Sequence, residues 1–228
     1  MDARTFNKSI LQSWELVSAL SLGLTVSTPV SLSVNLEFRD FAFSNNTQYS
    51  DLYRLGLKLK HYNILLKDYG YFQFSQQDEN IRFAYYPSTH NSQDSEIISD
   101  LSQDLNSGLI SLEDYSAFLE EMQESVTIPT IRYECSFGQY KPFWHPCAHF
   151  HIGHHYDNRW PVKKILSPLA FTMIIIKKYY GDSWEEHDDD THPYKNKMNE
   201  EMAKVKKLCP TLDDVYFTQK ENEIFHFL

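Results

Sequence analysis

Apolar side chains at Phe6, Ile10, Trp14, Val17 and Leu20 recur every three or four residues, the spacing of one helix face. Between residues 25 and 43 the pattern turns β-branched and alternating. Val34, Leu36 and Phe38 fall on one side and Asn35, Glu37 and Arg39 on the other, which predicts a half-buried strand. Asn45 and Asn46 end it, and Tyr49, Leu52, Tyr53, Gly56 and Leu59 resume helical spacing. Residues 63–67, 71–75 and 81–86 then read as three short antiparallel strands, separated by turns at Asp68-Tyr69-Gly70 and at 76–80.

The next stretch, 88–106, is polar and reads as a surface connection or mobile loop. Ser111, with Asp114 at the reciprocal capping position, opens a predicted helix carrying Leu112, Tyr115, Leu119 and Met122 on one face and ending before Pro129. Residues 128–137 and 148–155 are strand-like. Ser167-Pro168 supplies an N-cap followed by proline at the first helical position, and that helix is expected to reach Gly181. A polar helix near 198–208 and a final hairpin, 215–218 with 224–228, complete the expectation.

Strand parity carries the argument toward chemistry, because residues two apart share a face. In 128–137 the apolar set is Ile131, Tyr133, Cys135 and Phe137, leaving Arg132, Glu134 and Ser136 opposite. In 148–155 it is Ala148, Phe150 and Ile152, leaving His149, His151 and Gly153. Gln73 and Arg82 take the same polar parity on the earlier strands. The fold expected is α+β: an antiparallel sheet of about five strands, helices packed on one face and a polar His/Arg/Glu face opposite. His149 and His151 would have α-carbons roughly 7 Å apart, close enough for both imidazoles to address one metal ion or phosphate. Gly153 would let a ligand or backbone come close.

With 228 residues, one domain is the default: 1–60 as an N-terminal helical and strand segment, 61–184 as the core sheet, and 185–228 as acidic loop, helix and hairpin. No apolar run is long enough to span a membrane and the first residues lack a signal-peptide pattern, so a soluble, cytoplasmic protein is expected. Three cysteines without a CxxC pair indicate neither a disulfide framework nor a cysteine zinc site, and Cys135 and Cys147 read as small buried residues. The net charge of −10 opposes free binding to duplex DNA, although Glu185, Glu186, Asp188, Asp189 and Asp190 concentrate five of those charges in one loop with His187 and His192. Five of the ten histidines fall within 144–159, and that segment is the expected functional centre. His154 falls on the apolar parity if the strand extends so far, and His155 at its frayed end. His226 reads as edge packing.

Several pieces in order carry a resemblance: 49–56, Tyr62-Asn63-Ile64-Leu65-Leu66-Lys67-Asp68, Tyr71-Phe72-Gln73-Phe74, 81–87, Ile131-Arg132-Tyr133-Glu134 and His145-Pro146-Cys147-Ala148-His149-Phe150-His151-Ile152-Gly153. With Arg159, the Ser167-Pro168 helix start and Tyr179-Tyr180, the chain resembles the bacterial family called domain of unknown function 2290. The resemblance implies a small protein encoded beside a helicase in two-gene anti-phage defence systems. It carries over as family-like polar positions Gln73, Arg82, Arg132, Glu134, His145, His149, His151 and Arg159. Cys147 departs from the serine-like character expected there, which puts a hydroxyl role in doubt. The alternation His149-Phe150-His151-Ile152 is also similar to the histidine-triad hydrolases, but Gly153 stands where their third histidine would be.

Three functions follow as expectations. The first is a nuclease or phosphodiester hydrolase working with the neighbouring helicase, which would supply most of the grip on nucleic acid. His149, His151, Glu134 and Arg132 would be catalytic, and His149, His151 and Glu134 would hold a divalent ion, Mg2+, Mn2+ or Zn2+. Arg159, Arg82, Gln73 and His145 would bind substrate. The second is a non-enzymatic accessory or sensor that binds and regulates the helicase, and the third a toxin acting on host RNA or protein. A homodimer is left open, and no paired-Asp metal motif, P-loop, HExxH or GxSxG occurs.

Overall fold

Among the described residues seven strands form the sheet: β1 (Gly23–Val26), β2 (Ile64–Leu66), β3 (Tyr71–Gln77), β4 (Asn80–Tyr86), β5 (Ile131–Cys135), β6 (Ala148–Ile152) and β7 (Trp160–Pro161). In this computed structural model, which describes residues 1–44, 47–89, 95–111, 114–115, 117–118, 128–154, 158–187 and 197–225, their order in the sheet is their order in the chain. Every neighbouring pair is antiparallel. The fold is therefore α+β with an antiparallel sheet, of seven strands rather than about five. The two-residue β7 is too short to show an alternation in sequence.

The described helices are α1 (Ala3–Ala19), α2 (Leu36–Ala42), α3 (Tyr49–Lys58), α4 (Ser95–Ser107), α5 (Pro168–Tyr179), α6 (Gly181–Glu186), α7 (Lys197–Leu208) and α8 (Gln219–Phe225). None is long and apolar enough to cross a membrane. α1 and α5 lie together on one face of the sheet, tied by the Leu169 N–H donating to Ser9 Oγ. Ser167 caps α5 by accepting from the Ala170 N–H, as Ser167-Pro168 predicts. Phe171 of α5 meets Phe72, Phe74, Phe83 and Phe150, and Phe6 of α1 meets Phe83, so the aromatic strand residues form the main core. Burying each such ring is worth roughly 2 to 3 kcal/mol, which makes this layer the scaffold that fixes the strands.

Helices are not confined to that face. α2 and α3 cover part of the other, where Phe38, Leu52 and Tyr53 pack on Tyr71, Ala84 and Tyr86 as a second core. Tyr53, Tyr71 and Tyr86 stack in series at 5.6 and 4.9 Å between centroids. The physical reason is that Tyr71 and Tyr86 share the parity of Gln73 and Ala84. This face is aromatic at one end, and helices cover that end. Gly56 permits the approach, since a β-carbon there would lie 2.1 Å from Tyr71 Oη.

The strand expected over 25–43 is instead β1 followed by α2. Asn35 accepts the Phe38 N–H through its side chain and starts the helix, so capping prevails over an alternation that exposes Val34 and Leu36 and buries only Phe38. The connection expected over 88–106 contains α4, where Ile98 is buried despite the polar composition. The expected C-terminal hairpin is replaced by α8, opened by Thr218 and Glu221, which exchange capping bonds. Ser111 and Asp114 do the same, while Leu112, Leu119 and Met122 lie outside the described residues, as do His155, His192, His226 and Asp188, Asp189 and Asp190 of the acidic run, whose Glu185 and Glu186 end α6 rather than starting a loop.

Candidate functional site

Two rows of side chains cross the middle strands. In one, Arg82 of β4 is opposite Glu134 of β5, which is opposite His149 of β6. In the other, Ala84 is opposite Arg132, which is opposite His151. The rows are one side-chain period apart on the same parity, so Glu134, Arg132, His149 and His151 form a compact quartet.

Both histidines are buried. His149 Nδ1 lies 2.9 Å from the Pro146 carbonyl oxygen. A carbonyl only accepts, so the proton sits on Nδ1 and Nε2 presents a lone pair. That Nε2 lies 3.0 Å from His151 Nε2. One ligand atom each from Glu134, His149 and His151 falls within 4.8 Å of the others. Burial, and then the neighbouring His151, hold the pKa of His149 down to about 4, against the opposing pull of the Glu134 carboxylate. His149 is therefore neutral at pH 7.

This arrangement fits a divalent ion. Two imidazole nitrogens bonded to one ion at roughly 2.0 to 2.1 Å stand about 3 Å apart, and a carboxylate is a common third donor. The Pro146 carbonyl holding Nδ1 is the support that metal-binding histidines commonly use. His145 sits beside the pair, its ring 5.1 Å from that of His149 and its Nδ1 buried with no hydrogen-bond partner among the described residues. Arg132 Nε is likewise buried without one. Gly153 follows the strand with φ +94°, a left-handed conformation suited to glycine, and Asn158 bonds both the N–H and C=O of Ile152 to bring the chain back toward Arg159.

An open cleft of about 700 Å³ runs over this region. Its lining includes Gln73, Arg82, Arg132, Glu134 and His151 from the strands and His145, His154 and Arg159 from the loops. His149 lies behind His151 rather than on the surface. All eight sequence-derived polar positions thus converge, seven at the cleft and one beneath it. Gln73 is partly committed to structure, because its amide nitrogen donates to the His61 carbonyl. Among the described residues four arginines line the cleft, Arg39, Arg82, Arg132 and Arg159, with one carboxylate, Glu134; Arg39 is paired with Asp40 at 2.7 Å, so Arg82 and Arg132 beside Glu134 carry the local positive charge in a chain of net charge −10. Arg39, His61, Val34 and Phe43 are cleft residues that sequence reasoning missed. The signal was Asn35, whose capping turns the 36–42 segment into a helix.

Cys135, Cys147 and Cys209 are all buried and unbridged. The Cys147 thiol is pushed well up by its hydrogen bond with Cys135 and by burial, which removes it as a nucleophile at neutral pH.

A family described as Uncharacterized conserved protein, DUF2290, matches residues 24–227 of the chain. No curated protein and no solved structure matches it.

Proposed function

The chain belongs to the DUF2290 family of uncharacterized conserved proteins, and from that premise we propose that it is a metal-dependent phosphodiester hydrolase acting with a partner helicase in anti-phage defence. One observation carries the reading: a Glu134/His149/His151 donor cluster beside a cleft whose lining holds four arginines.

Each residue has work suited to its chemistry. Arg132 and Arg82 lie beside Glu134 in the pairing, where guanidinium forks can hold phosphate oxygens, and Arg159 adds a third from the loop. His149 offers a neutral Nε2 whose orientation is fixed by Pro146, and Glu134 supplies charge and an oxygen donor. A bound divalent ion would polarise the phosphate and lower the pKa of a coordinated water. The mixed nitrogen and oxygen donor set suits Zn2+ or Mn2+ better than Mg2+. His145 and Gln73 would orient the substrate at the margin. The acidic net charge suits a division of labour in which the helicase grips the nucleic acid and this chain cuts it.

The test is nucleic-acid cleavage by the chain with its helicase in the presence of Mn2+ or Zn2+. Cleavage that disappears in His149→Ala and His151→Ala is expected. Absence of cleavage, or normal cleavage and protection by both variants, defeats the proposal. The second reading, a non-enzymatic subunit that regulates the helicase, draws on Trp144, which is 83% exposed at the tip of the 141–145 turn and is a residue type that anchors protein interfaces.

A further inference from the structure

The cleft has two kinds of lining, one cationic and one apolar. Leu32, Val34, Phe38, Ala42 and Phe43 all line the apolar margin. Phe43 is 71% exposed and Val34 57% exposed, although each borders the same space as the arginines. Exposed apolar groups beside a cationic cleft suit a ligand that carries both an anion and a flat apolar surface.

Position sets the length of that ligand. The Leu32 N–H donates to the Phe74 carbonyl and the Gln76 N–H to Ser31 Oγ, so Ser31 and Leu32, where the apolar margin begins, run along β3, and the margin continues through α2 to Phe43. The donor cluster lies on β5 and β6. Three interstrand gaps of about 4.8 Å separate β3 from β6, roughly 14 Å in all. That exceeds one nucleotide and matches a short stretch of strand crossing the sheet, with Arg82 on β4 midway.

We infer that the cleft takes a short single strand of nucleic acid, its phosphates on Arg82 and Arg132 and an unstacked base against Phe43. The inference rests on the phosphodiester reading and adds the substrate class. A paired duplex already stacks its own bases and offers Phe43 no free π-face, and the chain's net charge of −10 opposes association with duplex backbone. An aromatic side chain gains from stacking on any base, so the preference is for unpaired strand rather than for sequence.

The experiment measures binding of fluorescein-labelled eight-nucleotide single strands, deoxy and ribo, to the full chain at one fixed ionic strength in EDTA. A blunt duplex of the same length and a mononucleotide competitor complete the set. At least one single strand should bind more tightly than the duplex, Phe43→Ala should weaken it by roughly tenfold or more, and Phe43→Trp should restore it. The mononucleotide should compete equally in parent and Phe43→Ala, because it is too short to reach both margins. Equal affinity of parent and Phe43→Ala for the strand, or duplex binding as tight as single strand, overturns the inference. Omitting metal separates the outcomes: lost binding leaves the hydrolase reading to its own cleavage test, and absent cleavage leaves this binding result intact.

Discussion

The Nε2 atoms of His149 and His151 are 3.0 Å apart in a buried setting, and the His149 tautomer set by Pro146 leaves its Nε2 without a proton. Two bare lone pairs at that distance repel, so a proton on His151 or a cation shared with Glu134 must lie between them. The expected outcome with a cation is uptake of one equivalent of Zn2+ or Mn2+ per chain by calorimetry. His149→Ala should abolish it, and Glu134→Gln should weaken it at least tenfold. No uptake by the parent, or unchanged uptake by His149→Ala, rules out the shared ion.

Acid should destabilise the fold through the same residue. The folded pKa of His149 is about 4, below the ordinary 6.5, so the unfolded chain takes up a proton as pH falls through 6.5 while the folded chain resists until about 4. Its contribution is fully present above pH 6.5 and declines from there to pH 4. Urea unfolding at pH 7 and pH 4.5 tests this, since His149→Gln should lose less stability between the two than the parent. An identical loss would show that His149 titrates normally.

Alternation alone sorts Arg132 with Glu134 and His149 with His151, because a strand's period of two is strict, the intervening Tyr133 is buried core and the half-buried Phe150 packs against that core. Register was not legible: that Glu134 falls opposite His149 depends on how the chain returns between β5 and β6. The cleft's apolar margin was hidden for a different reason. Val34, Leu36 and Phe38 alternate like a strand, but a single local bond, Asn35 to the Phe38 N–H, selects a helix. Arg39 and Phe43 reach the cleft only through that choice. The second core was obscured too, because Tyr71 and Tyr86 belong to a parity that Gln73 and Arg82 mark as polar.

Arg132 should matter for substrate more than for stability. It is half-buried, faces the cleft, and holds a buried Nε with no hydrogen-bond partner among the described residues. Arg132→Lys keeps the charge and loses the planar fork, so kcat/KM for a phosphodiester should drop roughly tenfold or more while metal uptake is unchanged. Unaltered kcat/KM in this variant would remove Arg132 from phosphate binding. A loss of folding stability above about 1 kcal/mol would reassign it to the scaffold.

Glu221 holds the turn beside His145 in place. Its buried carboxylate accepts from Tyr140 Oη at 2.7 Å, the Phe143 N–H at 3.0 Å, and the Thr218 N–H and Oγ1 at 2.9 and 2.8 Å. Phe143 adopts φ +65°, a left-handed conformation costly for a side chain of its size, and the bond to Glu221 helps fix it there. Lys141 and His145 close the same turn through paired backbone bonds, so Glu221 fixes the loop that delivers His145 to the cleft. Glu221→Gln places an amide donor against other donors and should cost about 2 to 4 kcal/mol. Hydrogen exchange should accelerate at the Phe143 and Thr218 amides, and competition by inorganic phosphate at the cleft should weaken less than in Arg132→Gln. Unchanged exchange at both amides would mean that the turn is held by its own backbone bonds and not by Glu221.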